Sequence, residues 1–204
     1  MVADPPQARL RDRQAELVRA QILDALVARL EYESPDQLSI DDLATEAGVS
    51  RRTLYRYFPN REVLLAAAEE RLVARLGLPL EFDGPDSIAP SFRDASRRLE
   101  LNPGLTRALR QTSISRLRPP PLRVRRLQGL ARALEPVTGE LPPADAERAL
   151  AIMGYLCSAN AWLSISDETG LPPDEVRAAI SWAMDTLIRN LRERAGARRR
   201  SSPD

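Results

Sequence analysis

The chain has 204 residues, of which 43% are hydrophobic and 29% are charged, so it should fold as one domain or two small ones and not be disordered. It contains one cysteine and no histidine, which excludes an internal disulfide framework and removes the commonest metal ligand and general base. The formal net charge is only +1, so any affinity for nucleic acid must come from local clusters of charge.

Signals for membranes, secretion and catalysis are missing from the sequence. No run of about 18 apolar residues occurs, and the first residues are polar and charged where a signal peptide needs an apolar stretch. We therefore expect no membrane contact and a location in the cytoplasm. Because no acid–base pair, metal-ligand cluster or phosphate-binding loop is visible, we also expect no enzyme activity, no catalytic residue, no metal and no cofactor.

Apolar residues recur at three- and four-residue steps through most of the chain, and no strand-like alternation persists, so an all-α fold is predicted. The first helix is predicted at residues 8–33, with an apolar face that ends at the Ser34-Pro35-Asp36 stop. Three shorter helices follow at residues 40–47, 51–58 and 61–76. The apolar residues assigned to the first helix are Leu17, Ile22, Leu26, Val27 and Leu30, and those of the fourth are Val63, Leu64, Ala67, Ala68, Leu72 and Val73.

Glycine- and proline-containing breaks at residues 77–79 and 83–85 separate this N-terminal module from a second helical bundle. Helices in that bundle are predicted at residues 86–101, 103–117, 122–135, 143–166 and 173–195. The polar tail at residues 198–204 is predicted to be disordered.

Residues 40–59, IDDLATEAGVSRRTLYRYFP, have the pattern of a helix-turn-helix, in which two short helices are joined by a tight turn that contains glycine. Ser39 and Ser50 are placed to cap the two helices, and Gly48 can adopt the left-handed conformation that ends the first. The small apolar wedge between the helices is formed by Leu43, Ala47, Val49 and Leu54, and Ala44 is placed where the helices approach too closely for a larger side chain.

On the second helix of this motif, Leu54 and Phe58 face inward and leave a basic face outward. Arginine pairs with both acceptors of a guanine edge in the major groove, so Arg51, Arg52 and Thr53 are predicted to read bases, with Arg56 as a further candidate. Hydroxyl groups and helix N-termini suit phosphates. The predicted phosphate-contacting residues are Tyr55, Tyr57 and Arg61, and Ser39 and Ser50 are also predicted to belong to the DNA-binding site.

The segment from Ser39 to Leu65 closely resembles the DNA-binding signature of the TetR family of regulators. The likeness includes the T-L-Y-x-Y-F run, the Pro59-Asn60-Arg61 turn and the apolar helix that follows. It implies DNA contacts on residues 51–58 and a phosphate contact at Arg61, where relatives commonly carry lysine. Many relatives carry glycine or alanine near Arg52, so the Arg52 side chain either contacts a base or lies over a phosphate.

The resemblance also implies a function and a division by role. The chain would be a sequence-specific DNA-binding transcriptional regulator, a repressor that a small-molecule effector releases from a palindromic operator in double-stranded DNA. Residues 8–61 would form the helix-turn-helix DNA-binding domain, and residues 62–197 the ligand-binding and dimerisation domain.

A homodimer is expected because the predicted last helix carries an apolar stripe too wide for a small monomer to cover, and relatives pair through their last two long helices. The predicted interface residues are Ile180, Met184, Leu187, Ile188 and Leu191. The resemblance places the effector pocket in residues 87–137, with contributions from the next helix. Candidate pocket residues are Phe92, Leu109, Thr112, Met153, Asn160 and Trp162.

Several alternatives remain open on the sequence. The motif could be a helical hairpin with a solvated arginine face, the last-helix stripe could pack within the chain, and each pocket candidate could be an ordinary core residue. The basic residues between Arg93 and Arg132 indicate either an anionic ligand or a solvated face. Cys157 is interpreted as a packing residue and not a redox sensor. The competing functions are an enzyme, a protein-binding adaptor that has lost DNA binding, and an activator instead of a repressor.

Overall fold

The computed structural model describes residues 6–114 and 121–201. Every regular element within these stretches is helical, so the predicted all-α fold is confirmed. In chain order the α-helices are α1 (Pro6–Leu30), α2 (Ile40–Glu46), α3 (Arg51–Tyr57), α4 (Arg61–Leu76), α5 (Ile88–Leu101), α6 (Pro103–Ile114), α7 (Pro121–Thr138), α8 (Pro143–Leu156), α9 (Ala159–Thr169) and α10 (Pro173–Ser201). Single 3-10 turns at Pro35–Gln37 and Pro85–Ser87 precede α2 and α5.

The described residues divide into two compact units. The first contains residues 6–75 and 104–114, which are α1 to α4 with most of α6, and the second contains residues 76–103 and 121–201. The sequence-based boundary between residues 61 and 62 divides the chain by role instead of by packing, and it stays a prediction.

An apolar core joins the helices of the first unit. Its buried side chains on α1 to α4 are Ile22, Leu23, Leu26, Val27, Leu30, Leu43, Ala44, Leu54, Leu64, Leu65, Ala67, Ala68 and Leu72. Two residues predicted to face inward do not do so, because Leu17 is 64% exposed and Val63 is 41% exposed. Leu17 lies five residues before Ile22, and five residues correspond to a rotation of about 140° beyond one full helical turn. The two side chains therefore point to nearly opposite sides of α1.

Arginine–carboxylate contacts connect the helices of this unit at its surface. Asp24 on α1 accepts hydrogen bonds from Arg71 Nε and Nη2, each at 3.0 Å, and from Arg75 Nη2 at 2.7 Å, all on α4. Arg29 at the end of α1 donates to Glu33 at 2.7 Å and to Glu46 of α2 at 3.1 Å. The hydrogen bond with Glu33 raises the pKa of Arg29, and it lowers the pKa of Glu33 in turn.

The second unit packs around one face of α10, which contacts α5, α7, α8 and α9. The buried residues on that face are Val176, Ile180, Met184, Ile188, Leu191 and Ala195. Helices α7 and α8 approach closely at Gly154, where a Cβ atom would overlap Cδ2 of Leu127. A larger residue at this position would require the Leu127 side chain to shift.

The predicted helix at 143–166 is two helices, which corrects the sequence-based prediction. α8 ends at Leu156, and Ser158 begins α9 by accepting a hydrogen bond at 3.1 Å from the backbone N–H of Ala161. The two helices are bent by 66°. Apolar periodicity continued across the break, and no glycine or proline marked it, so the sequence showed one helix.

The last helix is longer than predicted. α10 continues to Ser201, so residues 198–201 are helical where a disordered tail was predicted, while residues 202–204 lie outside the described residues. Arg199 on this extension donates to Glu140 at 3.0 Å, an ion pair across 59 residues that the sequence pattern did not reveal. In the described part of the chain, no single helix is both long and apolar enough to cross a membrane, and only the bent pair α8 and α9, taken together, reaches that length and composition.

Candidate nucleic-acid interface

Serine side chains begin both helices of the helix-turn-helix. Ser39 Oγ accepts a hydrogen bond at 3.3 Å from the backbone N–H of Asp42, and Ser50 Oγ accepts one at 3.1 Å from that of Thr53. Each bond satisfies a donor that a helix start leaves without an intrahelical partner. These two residues therefore fix where α2 and α3 begin.

The turn between α2 and α3 is built on Gly48, whose φ of +65° lies in the left-handed region. The chain then reverses direction, and the backbone N–H of Val49 donates to the carbonyl of Ala44 at 2.9 Å. Any residue with a Cβ would be strained at this φ. Ala44 itself is only 3% exposed, which agrees with the predicted close approach of the two helices.

The two turns of α3 have a buried and an exposed side. Leu54 is 1% exposed and Phe58, which ends the helix, is 0% exposed, so residues four apart anchor it to the core. The predicted base-reading residues Arg51 and Arg52 are exposed, as are Tyr55 and Arg56. Their guanidinium groups are thus available on one helix of a size that the major groove accepts.

The remaining predicted DNA-contacting residues lie at the edges of this surface. Thr53 is half-buried, and its hydroxyl lies 2.9 Å from Ser50 Oγ. Tyr57 is also half-buried, with the Arg56 guanidinium 5.2 Å from its ring centroid. Arg61 is exposed as the first residue of α4, a helix that Asn60 caps by accepting from Val63 N–H at 2.9 Å.

Sequence reasoning missed Asp41, a residue of α2 that contacts the predicted reader Arg51. Nη1 of Arg51 donates to both carboxylate oxygens of Asp41, at 2.9 and 3.1 Å. The same guanidinium lies 5.6 Å from the ring centroid of Tyr55. Asp41 raises the pKa of Arg51 through its charge and hydrogen bonds. No periodicity pairs residues ten apart across a turn, so the sequence carried no signal for this contact.

The predicted effector-binding residues belong to different units. Phe92, Met153, Asn160 and Trp162 lie on α5, α8 and α9 of the second unit, where α9 contacts both other helices. Leu109 and Thr112 lie on α6 in the first unit, and both are buried. Phe92, Met153 and Trp162 are buried, and Asn160 is half-buried.

Four predicted dimer-interface residues are interior to the chain, which corrects their assignment. Ile180, Met184, Ile188 and Leu191 are at most 3% exposed within a single chain, so they have no surface left for a partner. Leu187 is half-buried. These four residues instead fit the alternative interpretation of the sequence, in which the apolar stripe of the last helix packs within the chain. The exposed aromatic residue on α10 is instead Trp182, at 71%.

The described residues also bear on whether the chain has a reactive thiol or a metal site. Burial raises the pKa of the Cys157 thiol to about 12, against a smaller opposite effect of Arg126. A thiol with so high a pKa stays protonated at neutral pH, which supports packing over redox sensing. No group of three or more histidine, cysteine, aspartate or glutamate side chains in the described residues is arranged to hold a metal ion.

Residues 22–68 match the family model of bacterial regulatory proteins, tetR family. The match begins within α1 and ends within α4, so it contains the whole helix-turn-helix.

Curated relatives are similar over part of the chain. An uncharacterised HTH-type transcriptional regulator, Rv1255c of Mycobacterium tuberculosis (strain ATCC 25618 / H37Rv), is 37% identical over 81 residues, which are 40% of this chain and 40% of that protein. The nucleoid occlusion factor SlmA of Alteromonas mediterranea is 33% identical over 106 residues, which cover 45% of this chain and 50% of that protein. The chain thus spans half or less of the length of these curated relatives.

Solved structures share the fold over most of the chain. A TetR transcriptional regulator from Rhodococcus sp. RHA1 has a TM-score of 0.60 at 20% identity, covering 85% of this chain and 97% of that one. A tetR-family transcriptional regulator from Streptomyces coelicolor has a TM-score of 0.56 at 20% identity, covering 89% of each chain. Residues 22–68 thus match the tetR family of bacterial regulatory proteins, and the fold of the chain is similar to that of TetR-family structures.

Proposed function

We propose that the chain is a sequence-specific DNA-binding transcriptional regulator that acts in the cytoplasm as a homodimer. The observation that carries the proposal is the exposed basic face of α3, where Arg51, Arg52 and Arg56 project from a helix anchored by two buried residues. The match of residues 22–68 to a family of regulatory proteins also favours a regulator over the enzyme that the sequence left as an alternative.

Base reading is assigned to Arg51 and Arg52, because a guanidinium can pair with both acceptors of a guanine edge. Phosphate contact is assigned to Arg61, which is exposed at the N-terminus of a 16-residue helix whose dipole also favours an anion. Each assignment predicts a different mutant phenotype, because base contacts carry sequence preference while phosphate contacts carry salt dependence.

A second copy of the chain is the proposed partner, and the support is an exposed apolar surface on α8 and α10. Arg194 of α10 pairs with Asp145 at the start of α8, and Arg199 pairs with Glu140 in the turn before α8, so α10 runs antiparallel to α8. This direction brings Tyr155 and Trp182 to nearly the same level along the two helices, at 51% and 71% exposed. Two-fold pairing through this surface would present two copies of α3 to a palindromic operator.

The proposed effector is a small, largely apolar molecule that binds within the second unit and releases the repressor from DNA. Two buried donors support this location, because Trp162 Nε1 and Ser181 Oγ have no hydrogen-bond partner among the described residues. Trp162 lies eight residues before Gly170 and Ser181 nine residues after Pro172, so the α9–α10 hairpin brings them to the same level. An acceptor atom on the effector would satisfy whichever of these donors it reached.

Selection of binding sites from random duplexes tests the proposal. A palindromic sequence should be enriched, and Arg61→Ala should then weaken binding to the selected and to a scrambled duplex alike. The salt slope should become shallower by about 0.9 for each phosphate that is no longer neutralised, or about 1.8 for a dimer. Arg52→Ala should instead weaken the selected duplex more than the scrambled one.

Arg97→Ala is the matched control, because it removes the same charge from an exposed position on α5 of the second unit. If no sequence is enriched over the random pool, or if Arg97→Ala weakens binding as much as Arg61→Ala does, then α3 and the start of α4 are not the DNA-contacting surface.

A further inference from the structure

We propose that Asp41 is a specificity-determining residue, which holds Arg51 so that this arginine contacts a neutral base edge but not a phosphate. The inference rests on the proposed function and deepens it, since it concerns how the same surface separates operator from unrelated DNA. It is carried by the Asp41–Arg51–Tyr55 contact, which joins the start of α2 to the start of α3.

The contact is an exposed ion pair. The side chains of Arg51 and Asp41 are 59% and 66% exposed, and ion pairs in such positions contribute little to folding stability. The acid nonetheless contacts Arg51, a residue of the surface proposed to meet a polyanion. A carboxylate at that position lowers affinity for DNA in general. Its useful effect would therefore be to discriminate between operator and unrelated DNA.

Both partners of Arg51 restrict its guanidinium. Nη1 bridges the two Asp41 oxygens, and the group also lies 5.6 Å from the Tyr55 ring centroid. A long, rotamer-rich side chain is thereby ordered before DNA arrives, so less conformational entropy is lost when it docks. The remaining guanidinium donors of Arg51 stay available for an acceptor.

The charge of the incoming acceptor then decides the outcome. A guanine edge offers two neutral acceptors, so it can share the guanidinium with Asp41 without bringing a second negative charge to it. A phosphate oxygen would bring such a charge close to the carboxylate, and the two anions would repel each other. Asp41 therefore weakens the phosphate contacts by which unrelated DNA binds, and it does not weaken the contact of Arg51 with a base.

The test compares Asp41→Asn with wild type on the selected duplex and on a scrambled duplex of the same composition, over a range of salt concentrations. The variant should bind the scrambled duplex about tenfold more tightly, because each protomer then neutralises one more phosphate, and its salt slope there should steepen by about 1.8. Affinity for the selected duplex should change less, so the ratio of the two affinities should fall.

Two matched variants isolate the contact. Asp42→Asn removes the same charge from the next position of α2, where the carboxylate lies 3.9 Å from Arg29. It should leave the affinity ratio near that of wild type. Adding Asp41→Asn to an Arg51→Ala chain should likewise produce no steeper slope, since the arginine that would reach the phosphate is missing. Circular dichroism of each variant establishes that the helical content is retained.

The inference is overturned if Asp41→Asn leaves the affinity ratio unchanged, if Asp42→Asn lowers that ratio equally, or if the effect persists without Arg51. Either of the last two outcomes would mean that Asp41 acts only through its negative charge and not through its contact with Arg51. Failure of the proposed function has a different signature, because wild-type protein would then select no sequence at all, and the inference would fall with it.

Discussion

Replacing Trp182 with serine should dissociate the proposed dimer while leaving the fold of each chain intact. The Trp182 side chain extends from α10 at 71% exposure. A tryptophan buries roughly 150–250 Å² when it is fully covered, so a partner could bury about 110–180 Å² more of this side chain. At about 25 cal/mol per Å² that area corresponds to roughly 3–4.5 kcal/mol for each protomer.

Only part of this free energy would appear as affinity, because association also costs rotational freedom and side-chain entropy. If about a third of it is realised, the two copies in a dimer lose about 2–3 kcal/mol together, and the dimer dissociation constant rises by about 30- to 150-fold. Sedimentation velocity from about 0.1 to about 50 µM protein, a range chosen around typical micromolar affinities, would measure this change.

Leu101→Ser is the matched control, because Leu101 is 79% exposed at the C-terminal end of α5 and is not part of the proposed α8 and α10 surface. This variant should dimerise as wild type does. In a Trp162→Phe chain, where Trp182 is the remaining tryptophan, iodide should quench its fluorescence weakly at high protein concentration and strongly on dilution. A Trp182→Ser chain that stays dimeric at the wild-type dissociation constant would refute the placement of the interface.

Three smaller predictions follow from local contacts. Leu54→Ala, at a residue 1% exposed, should lower the free energy of unfolding by about 2–5 kcal/mol in urea denaturation, and a cost below about 1 kcal/mol would mean that α3 is not anchored by this side chain. Ser158→Ala should lower it by about 0.5–2 kcal/mol by removing the cap of α9, and Ser164→Ala, within the same helix, should not do so. Burial raises the pKa of Cys157 to about 12, so little of the thiol is ionised at pH 8. A disulfide reagent should therefore react about a thousandfold more slowly with Cys157 in the folded chain than in the unfolded chain. Equal reaction rates would contradict the burial of this thiol.

The N-terminal elements could be predicted from sequence because their signals are local. Ser39, Gly48 and Ser50 each act within three residues of their own position, so α2, α3 and the turn between them were predicted to within one residue. The start and end of α4 were predicted without error. Caps and turns depend on side chains and φ angles of neighbouring residues, which a sequence displays directly.

Contacts between distant residues were not predictable in the same way. The apolar stripe of α10 was visible, but whether it faces another helix of the same chain or a partner depends on tertiary packing. Burial of Ile180 and Ile188 against the second unit, with Trp182 left outside, answers that question for these residues. The Asp41–Arg51 ion pair was missed for the same reason, since it depends on how two short helices cross.

The lengths of α2 and α3 have a consequence for how binding mutants will be distributed. Each helix has seven residues, which is too short to be stable alone in water. Packing against the neighbouring helices of the first unit therefore holds the DNA-reading residues in place. Random mutagenesis that scores loss of operator binding should recover substitutions at buried positions such as Leu26 and Leu72 as readily as substitutions on the exposed face of α3.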